Sequence, residues 1–173
     1  PLENGKNNER RLLLLGWVVC TLAALFYCYE YLLRIEPSVM ITPLMTSFNT
    51  NSASLAFVVA MYYYAYTPLQ AFVGVLTDRY GPRHVLMVAL LFCIVGTFIF
   101  GISDYLWLAG FGRFLIGAGS AFAFVGVLKL AAIWLPQSQF AFFTGLTTSL
   151  GMVGAMFGDI ELSRVVRYFG WHH

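Results

Sequence analysis

Charged residues are scarce in this sequence. Only 10% of its 173 residues are Asp, Glu, Lys or Arg, whereas a soluble domain carries roughly 25%. Hydrophobic residues make up 60% of the chain. They stand in long runs that approach the roughly 20 residues a helix needs to cross the hydrocarbon core of a bilayer. A water-soluble core of this size could not bury so much apolar surface, and we therefore predict an all-α integral membrane protein.

Other scarcities exclude further classes of protein. The formal charge of +2 is too small to suggest nucleic-acid binding. The three cysteines fall inside apolar runs without ligand-like spacing, so we interpret them as small buried hydrophobic residues and expect no metal site. The phosphate-binding pattern G-x-x-x-x-G-K-[ST] does not occur in the sequence. We expect no cofactor and no enzymatic activity.

Hydropathy divides the chain into a tail, 1–11, and a bundle, 12–173. Arg10 and Arg11 precede the first apolar run as in a signal peptide, but the run is too long and lacks a small-residue cleavage site. Pro37 and Pro43 should bend the first span. Asn51 or Ser52 is the expected N-cap of the next helix. The five predicted spans cover about 12–45, 53–76, 85–102, 106–135 and 140–162.

The distribution of Lys and Arg predicts the orientation of the bundle. Most basic residues that flank the spans belong to the tail and the second loop: Lys6, Arg10, Arg11, Arg79 and Arg83. Arg164 and Arg167 count against this grouping but are outnumbered. The tail and the second loop are therefore predicted to be cytoplasmic, and an odd number of spans places the C-terminus outside.

The second loop carries the most specific pattern in the chain. Residues 74–83 read GVLTDRYGPR and match the loop motif of the major facilitator superfamily, G-x-L-x-D-R-x-G-x-R, at every fixed position. The chain thus resembles the N-terminal half of such a transporter, in which this loop latches the two halves together on the cytoplasmic side. The less specific alternative is a charged loop that obeys the positive-inside rule.

Simple chemistry also suggests roles for the loop residues. Gly74 would let a neighbouring helix approach closely. Asp78 could pair with Arg79 or Arg83, or cap a helix N-terminus. Gly81 permits a tight turn.

Small residues mark the fourth and fifth predicted spans. Residues 113–121 read RFLIGAGSA and resemble the second motif of the family, R-x-x-x-G-x-G-x-A. Its glycines would permit close helix packing. Arg113 is interpreted either as a functional residue or as an anchor that snorkels to the membrane surface. The fifth span has Gly151, Gly154 and Gly158, for which packing is favoured, and lacks the proline of the family's antiporter motif.

The first span concentrates ionisable groups, each of which costs roughly 2.5 to 3.5 kcal/mol at the centre of a membrane helix. Glu30 and Arg34 share one helix face, as do Tyr27 and Tyr31 beside them. Tyr31-Leu32-Leu33-Arg34 resembles the Tyr-x-x-Arg segment of organic-anion members of the superfamily. That resemblance implies that Arg34 binds the anionic substrate, and Tyr31 and Tyr27 beside it are further candidate substrate-binding residues.

Glu30 departs from the pattern of the organophosphate exchangers, and a buried carboxylate could instead take up a coupling proton. The alternative is an internal Glu30–Arg34 ion pair that binds nothing.

Lys129 in span four either lines the cavity or snorkels to the cytoplasmic surface near Trp134. Four tyrosines of span two are expected mostly to serve packing and interface roles; they are Tyr62, Tyr63, Tyr64 and Tyr66.

The resemblance covers nearly the whole chain and implies a half-bundle with five of its six spans. We expect secondary active transport of a small solute, an organic anion, by alternating access with proton or ion coupling. The expected partners are the lipid bilayer, the solute, the coupling ion and the missing C-terminal half, and the expected location is the bacterial inner membrane. A drug exporter of the same fold and a non-transporting half-module that oligomerises remain alternatives.

Overall fold

The computed structural model describes the backbone of residues 2–169, with the side chains of residues 11, 13–160 and 164. Helix dominates this range, as predicted for an all-α fold. The described helices are α1 (Leu2–Val39), α2 (Ile41–Ser47), α3 (Ser52–Gln70), α4 (Val73–Tyr80), α5 (Pro82–Gly101), α6 (Leu106–Trp134) and α7 (Gln137–Phe169).

Within the described residues, four helices are long and apolar enough to cross a membrane, compared with the five spans predicted. They are Leu13–Val39 of α1, all of α5, all of α6 and Gln137–Ile160 of α7. The remaining predicted span, 53–76, is divided between α3 and α4 by a turn at Ala71 and Phe72. Helix α3, whose sequence includes four tyrosines and a proline, is not among the four.

The first predicted span also differs in extent. α1 begins at Leu2, so the backbone of the predicted tail continues the first helix. At the other end α1 stops at Val39, and Met40 separates it from the short helix α2. Helix α1 thus continues through Pro37 and is interrupted only at Met40, so the predicted first span is broken rather than simply bent.

Local sequence explains the other helix boundaries. Asn51 is the N-cap of α3, and its side chain accepts a hydrogen bond of 2.9 Å from the amide of Ser54. Gly81 ends α4 with φ of +79°, and Pro82 opens α5 at its first position. The predicted boundaries of the last three spans are each displaced by one to several residues, since α5 starts at Pro82, α6 ends at Trp134 and α7 covers Gln137–Phe169.

Helix α6 lies at the centre of the bundle and packs against α1, α3 and α5, while α7 packs along α1. Glycines permit these close approaches. A Cβ atom at Gly117 would overlap the carbonyl oxygen of Tyr62 in α3, and one at Gly119 would overlap that of Ala89 in α5. On α7, a Cβ at Gly154 would overlap the Cys28 sulfur of α1. The packing role predicted for these small residues agrees with this geometry.

Candidate functional site

Glu30 and Arg34 form an ion pair on α1. Their spacing of four residues places both side chains on one helix face, and Arg34 Nη2 donates to Glu30 Oε1 at 2.9 Å. The Glu30 side chain is 1% exposed and that of Arg34 is 25% exposed. The predicted internal pair therefore exists, but its cationic member remains partly accessible.

Tyr62 of α3 joins both members of this pair. Its hydroxyl donates to Glu30 Oε1 at 2.6 Å and accepts from Arg34 Nε at 3.1 Å. Glu30 Oε1 thus accepts two hydrogen bonds, whereas the buried Oε2 has no hydrogen-bond partner among the described residues. The carboxylate is held on one oxygen only, which leaves the other as an unused acceptor in a dry environment.

Aromatic rings surround the guanidinium of Arg34. Its central carbon lies 5.0 Å from the ring centroid of Tyr31, 5.7 Å from that of Tyr62 and 5.0 Å from that of Tyr66. Tyr62 and Tyr66 are stacked with centroids 5.6 Å apart. Such rings favour a cation over their faces and keep a charged group inside a mostly apolar bundle.

Sequence reasoning did not single out Tyr62, Tyr66 or Ser120 for this site. Tyr62 and Tyr66 are four residues apart and share a face of α3, while the intervening Tyr63 and Tyr64 are exposed. The four-residue spacing was the sequence signal that could have identified Tyr62 and Tyr66 as a pair on one helix face. Buried Ser120 of α6 lies beside Glu30 and Tyr62, and no sequence pattern distinguished it from other small residues of that helix.

Tyr27 occupies a different environment from Tyr31. It is buried in the core shared by α1, α6 and α7, with its ring 5.2 Å from that of Phe124 and 5.0 Å from that of Tyr31. A Cβ atom at Gly151 of α7 would lie 2.9 Å from the Tyr27 ring. The structure therefore brings Tyr31 to the guanidinium of Arg34 and places Tyr27 behind it in the packed core.

Arg113 lies at the interface of α6 with α1 and is 1% exposed. Its Nη1 donates to the carbonyl oxygen of Leu33 at 2.8 Å, and its guanidinium carbon lies 5.0 Å from the ring centroid of Phe100. A snorkelling anchor would extend its charge to the surface. Arg113 does the opposite, so the anchor interpretation does not fit the structure.

Asp78 of the predicted second loop lies in α4 and pairs with Lys129 of α6. The structure thus gives Asp78 a partner other than those suggested by the sequence, Arg79 and Arg83, and Gly81 rather than Asp78 is the N-cap of α5. Lys129 belongs with this loop and not with Arg34, because it follows Ser120 by nine residues, about 13 Å along the helix.

The other loop residues remain at the surface of the described bundle. Arg79 lies over the ring of Tyr80 with its guanidinium carbon 5.6 Å from the centroid, and Arg83 is exposed. Gly81 makes the predicted turn. Gly74 has no described atom within 4 Å of the position of a Cβ, so the close helix predicted beside it is not supplied by this part of the chain.

These features define a multi-pass helical membrane protein with an ion pair enclosed between its helices. The family model of the Major Facilitator Superfamily matches residues 19–173. The chain belongs to this superfamily, whose members are transporters and not enzymes.

Similar proteins agree with this assignment. The chain is 29% identical over 155 residues to an uncharacterized transporter of Bacillus subtilis, and 27% identical over 163 residues to a probable sulfoacetate transporter of Cupriavidus necator. These alignments cover 90% and 94% of the chain, but 36% and 37% of the relatives. A probable nitrate/nitrite transporter of Mycobacterium tuberculosis is 33% identical over 145 residues, covering 76% of the chain and 34% of the relative. The chain thus spans little more than a third of the relatives' length.

Proposed function

We propose that the transporter containing this chain moves a small organic anion by alternating access and couples its movement to a proton. Arg34 receives the anion, Tyr31 lies beside it, and Glu30 takes up the proton. The observation that carries this proposal is the buried Glu30–Arg34–Tyr62 cluster, in which the cation is partly accessible and the carboxylate is not. Ionisable groups inside a membrane bundle are rare and usually mark a transport pathway.

The guanidinium of Arg34 retains donors for a ligand. The bonds to Tyr62 and Glu30 use Nε and Nη2, which form one edge of the planar group. Neither bond uses Nη1. A planar guanidinium can offer two parallel N–H groups to a carboxylate or a similar oxyanion. The open end therefore suits a compact anionic group, and the surrounding tyrosine rings suit the less polar part of its carrier.

Glu30 provides a physical reason for proton coupling. An anion that replaces Glu30 beside Arg34 leaves a carboxylate buried without its cation, which is costly in an apolar interior. A proton removes that cost, and the neutral carboxyl can keep a hydrogen bond to Tyr62. One bound anion would thus be accompanied by one proton, and the site would return to the internal ion pair after both have left.

The names of two relatives favour an anionic solute, since one is described as a sulfoacetate transporter and another as a nitrate/nitrite transporter.

We further propose a bacterial inner-membrane location with a cytoplasmic N-terminus, in agreement with the basic residues of the tail and second loop. Arg113 and the loop residues Gly74, Asp78, Arg79, Gly81 and Arg83 do not contact the solute in this proposal and are assigned to conformational change.

Uptake measurements on the full-length transporter test this proposal. Labelled sulfoacetate and nitrate are the first probes, and cells without the transporter give the background. We expect Arg34→Ala to reduce saturable uptake at least about tenfold, a loss equivalent to roughly 1.4 kcal/mol. Glu30→Gln should retain anion exchange but lose accumulation driven by a pH gradient. Arg11→Ala, at an exposed position, is the control and should transport normally.

Three results would contradict the proposal. Near-normal uptake by both Arg34→Ala and Glu30→Gln would remove the site assignment. Inhibition by hydrophobic cations, together with indifference to organic anions, would instead support the drug-exporter alternative. Absence of flux in reconstituted vesicles for every probe would support a non-transporting module.

A further inference from the structure

The C-terminal part of α1 contains a backbone acceptor that its own helix cannot satisfy in the usual way. Pro37 lies inside this helix and is buried. Proline has no amide N–H, so the carbonyl four residues earlier, that of Leu33, lacks its regular i+4 donor. Leu33 is itself 5% exposed. Within a bilayer an unpaired backbone carbonyl costs several kcal/mol, so a substitute donor is needed here.

Arg113 is positioned as that donor. It comes from α6, 80 positions later in the chain, and its Nη1 reaches the Leu33 oxygen at 2.8 Å. The side chain is fully enclosed and its guanidinium rests against the ring of Phe100. A charged group hydrogen-bonded to a carbonyl in such surroundings makes a strong and directional bond.

Glu36 supplies the opposite charge. It directly precedes Pro37 and is the carboxylate whose charge acts on Arg113 from the same turn of α1, although the two described side chains form no direct ion pair. Its Oε2 atom is buried and has no hydrogen-bond partner among the described residues. A buried guanidinium is tolerated only when its charge is compensated. The Leu33 carbonyl, which Arg113 contacts, and the Glu36 carboxylate thus belong to a single turn of α1.

We propose that Arg113 replaces the backbone donor missing at Pro37, with Glu36 compensating its charge, so that α6 holds the turn of α1 from which Arg34 projects. Leu33 directly precedes Arg34 in the chain, and fixing its carbonyl restrains the orientation of that neighbour. Arg113 is thus a positioning residue that acts through the backbone of α1. The hydrogen-bond replacement stands on its own, whereas its consequence for Arg34 rests on the proposed function.

A mutant cycle on the purified full-length protein in detergent tests the replacement. Arg113→Gln with Glu36→Gln removes both charges together, and we expect the Tm to fall by about 5 °C because a buried charged hydrogen bond is lost. Adding Pro37→Ala to this double variant restores an amide opposite the Leu33 carbonyl, and should return more than half of that loss. In the parent protein, Pro37→Ala should change the Tm much less, because Arg113 already satisfies the carbonyl.

Pro68→Ala is the matched control, since Pro68 also lies inside a helix, α3. It should give no rescue of the Arg113→Gln/Glu36→Gln variant. Equal effects of Pro37→Ala in the parent and in that variant, or no rescue at all, would overturn the proposal. If the double variant yields no folded protein, the cycle is repeated with Arg113→Lys, which keeps an N–H donor group and the charge and should lose less.

Transport kinetics separate positioning from simple stability. With labelled sulfoacetate or nitrate, the Arg113→Gln/Glu36→Gln variant should show a raised KM with a smaller change in maximal rate, and Pro37→Ala should lower that KM again. A change confined to the amount of folded transporter would contradict the positioning role. If the parent transports neither probe, the proposed function fails, while the Tm cycle still decides whether Arg113 replaces the missing donor.

Discussion

At the scale of single residues, Tyr62 shows how an uncharged side chain can hold two charged ones together. Its ring is 2% exposed, and its hydroxyl bonds to both Glu30 and Arg34. Tyr62→Phe keeps the ring and removes both bonds. We expect it to lower the free energy of unfolding by about 2 kcal/mol, since each lost bond has a charged partner, and to slow uptake roughly tenfold.

Thermal unfolding in detergent and initial uptake rates measure these two effects. Tyr63→Phe is the neighbouring control because Tyr63 is 51% exposed, and it should leave both quantities within error. Equal effects of the two substitutions would show that the hydroxyl of Tyr62 has no special part in the cluster.

The sequence predicted some of this cluster and not the rest. The four-residue spacing of Glu30 and Arg34 sufficed to predict their pairing, because that contact depends only on helix geometry. Selecting Tyr62 from four tyrosines required the rotation of α3 relative to α1, which tertiary packing determines. The same is true of Arg113, whose partner is a carbonyl 80 residues away.

At the scale of secondary-structure elements, the contact between α3 and α6 depends on Gly117. A Cβ atom at this position would overlap the backbone of Tyr62. Gly117→Ala should therefore push α3 away from α6 and destabilise the bundle by about 1 to 3 kcal/mol, in spite of the better helix propensity of alanine. The displacement of Tyr62 should also impair uptake.

Gly145→Ala on α7 provides the comparison, because no described atom lies within 4 Å of the Cβ position there. We expect this variant to be unchanged or slightly more stable in the same unfolding measurement. Similar destabilisation by both substitutions would indicate that steric overlap with α3 is not the cause.

Element boundaries were predicted less well than element existence. Apolar runs placed α5, α6 and α7 within several residues of their observed bounds, because hydropathy reports burial in lipid directly. The interruption between α3 and α4 was missed, since Ala71 and Phe72 are as apolar as their neighbours. The break after Pro37 was expected only as a bend, and its position depends on the contacts of the following helix.

At the scale of the whole molecule, the C-terminal part of α4 is joined to α6 through the Asp78–Lys129 pair. The sequence carries the loop motif and predicts its cytoplasmic side, but it left Lys129 either in the solute cavity or snorkelling to the cytoplasmic surface. A side chain on a long membrane helix can point to the cavity or to a loop, and only the packing of α4 beside α6 decides between them. Gly74 also lies on α4, and no described atom is within 4 Å of the position of its Cβ.

The Asp78–Lys129 pair is half exposed, with the two side chains 63% and 37% accessible, so its contribution to folding stability should stay below about 1 kcal/mol. Its effect on transport should be larger, because alternating access depends on small free-energy differences between conformations. We expect Asp78→Asn and Lys129→Gln each to reduce uptake severalfold while the Tm stays nearly constant.

The charge-reversed double variant, Asp78→Lys with Lys129→Asp, separates a pairwise contact from individual roles. If the two residues act mainly on each other, reversal restores at least half of the uptake lost in the single variants. Asp104→Asn, at an exposed position between α5 and α6, should transport normally. Failure of the reversal to restore uptake would show that Asp78 and Lys129 have roles in transport beyond their mutual ion pair.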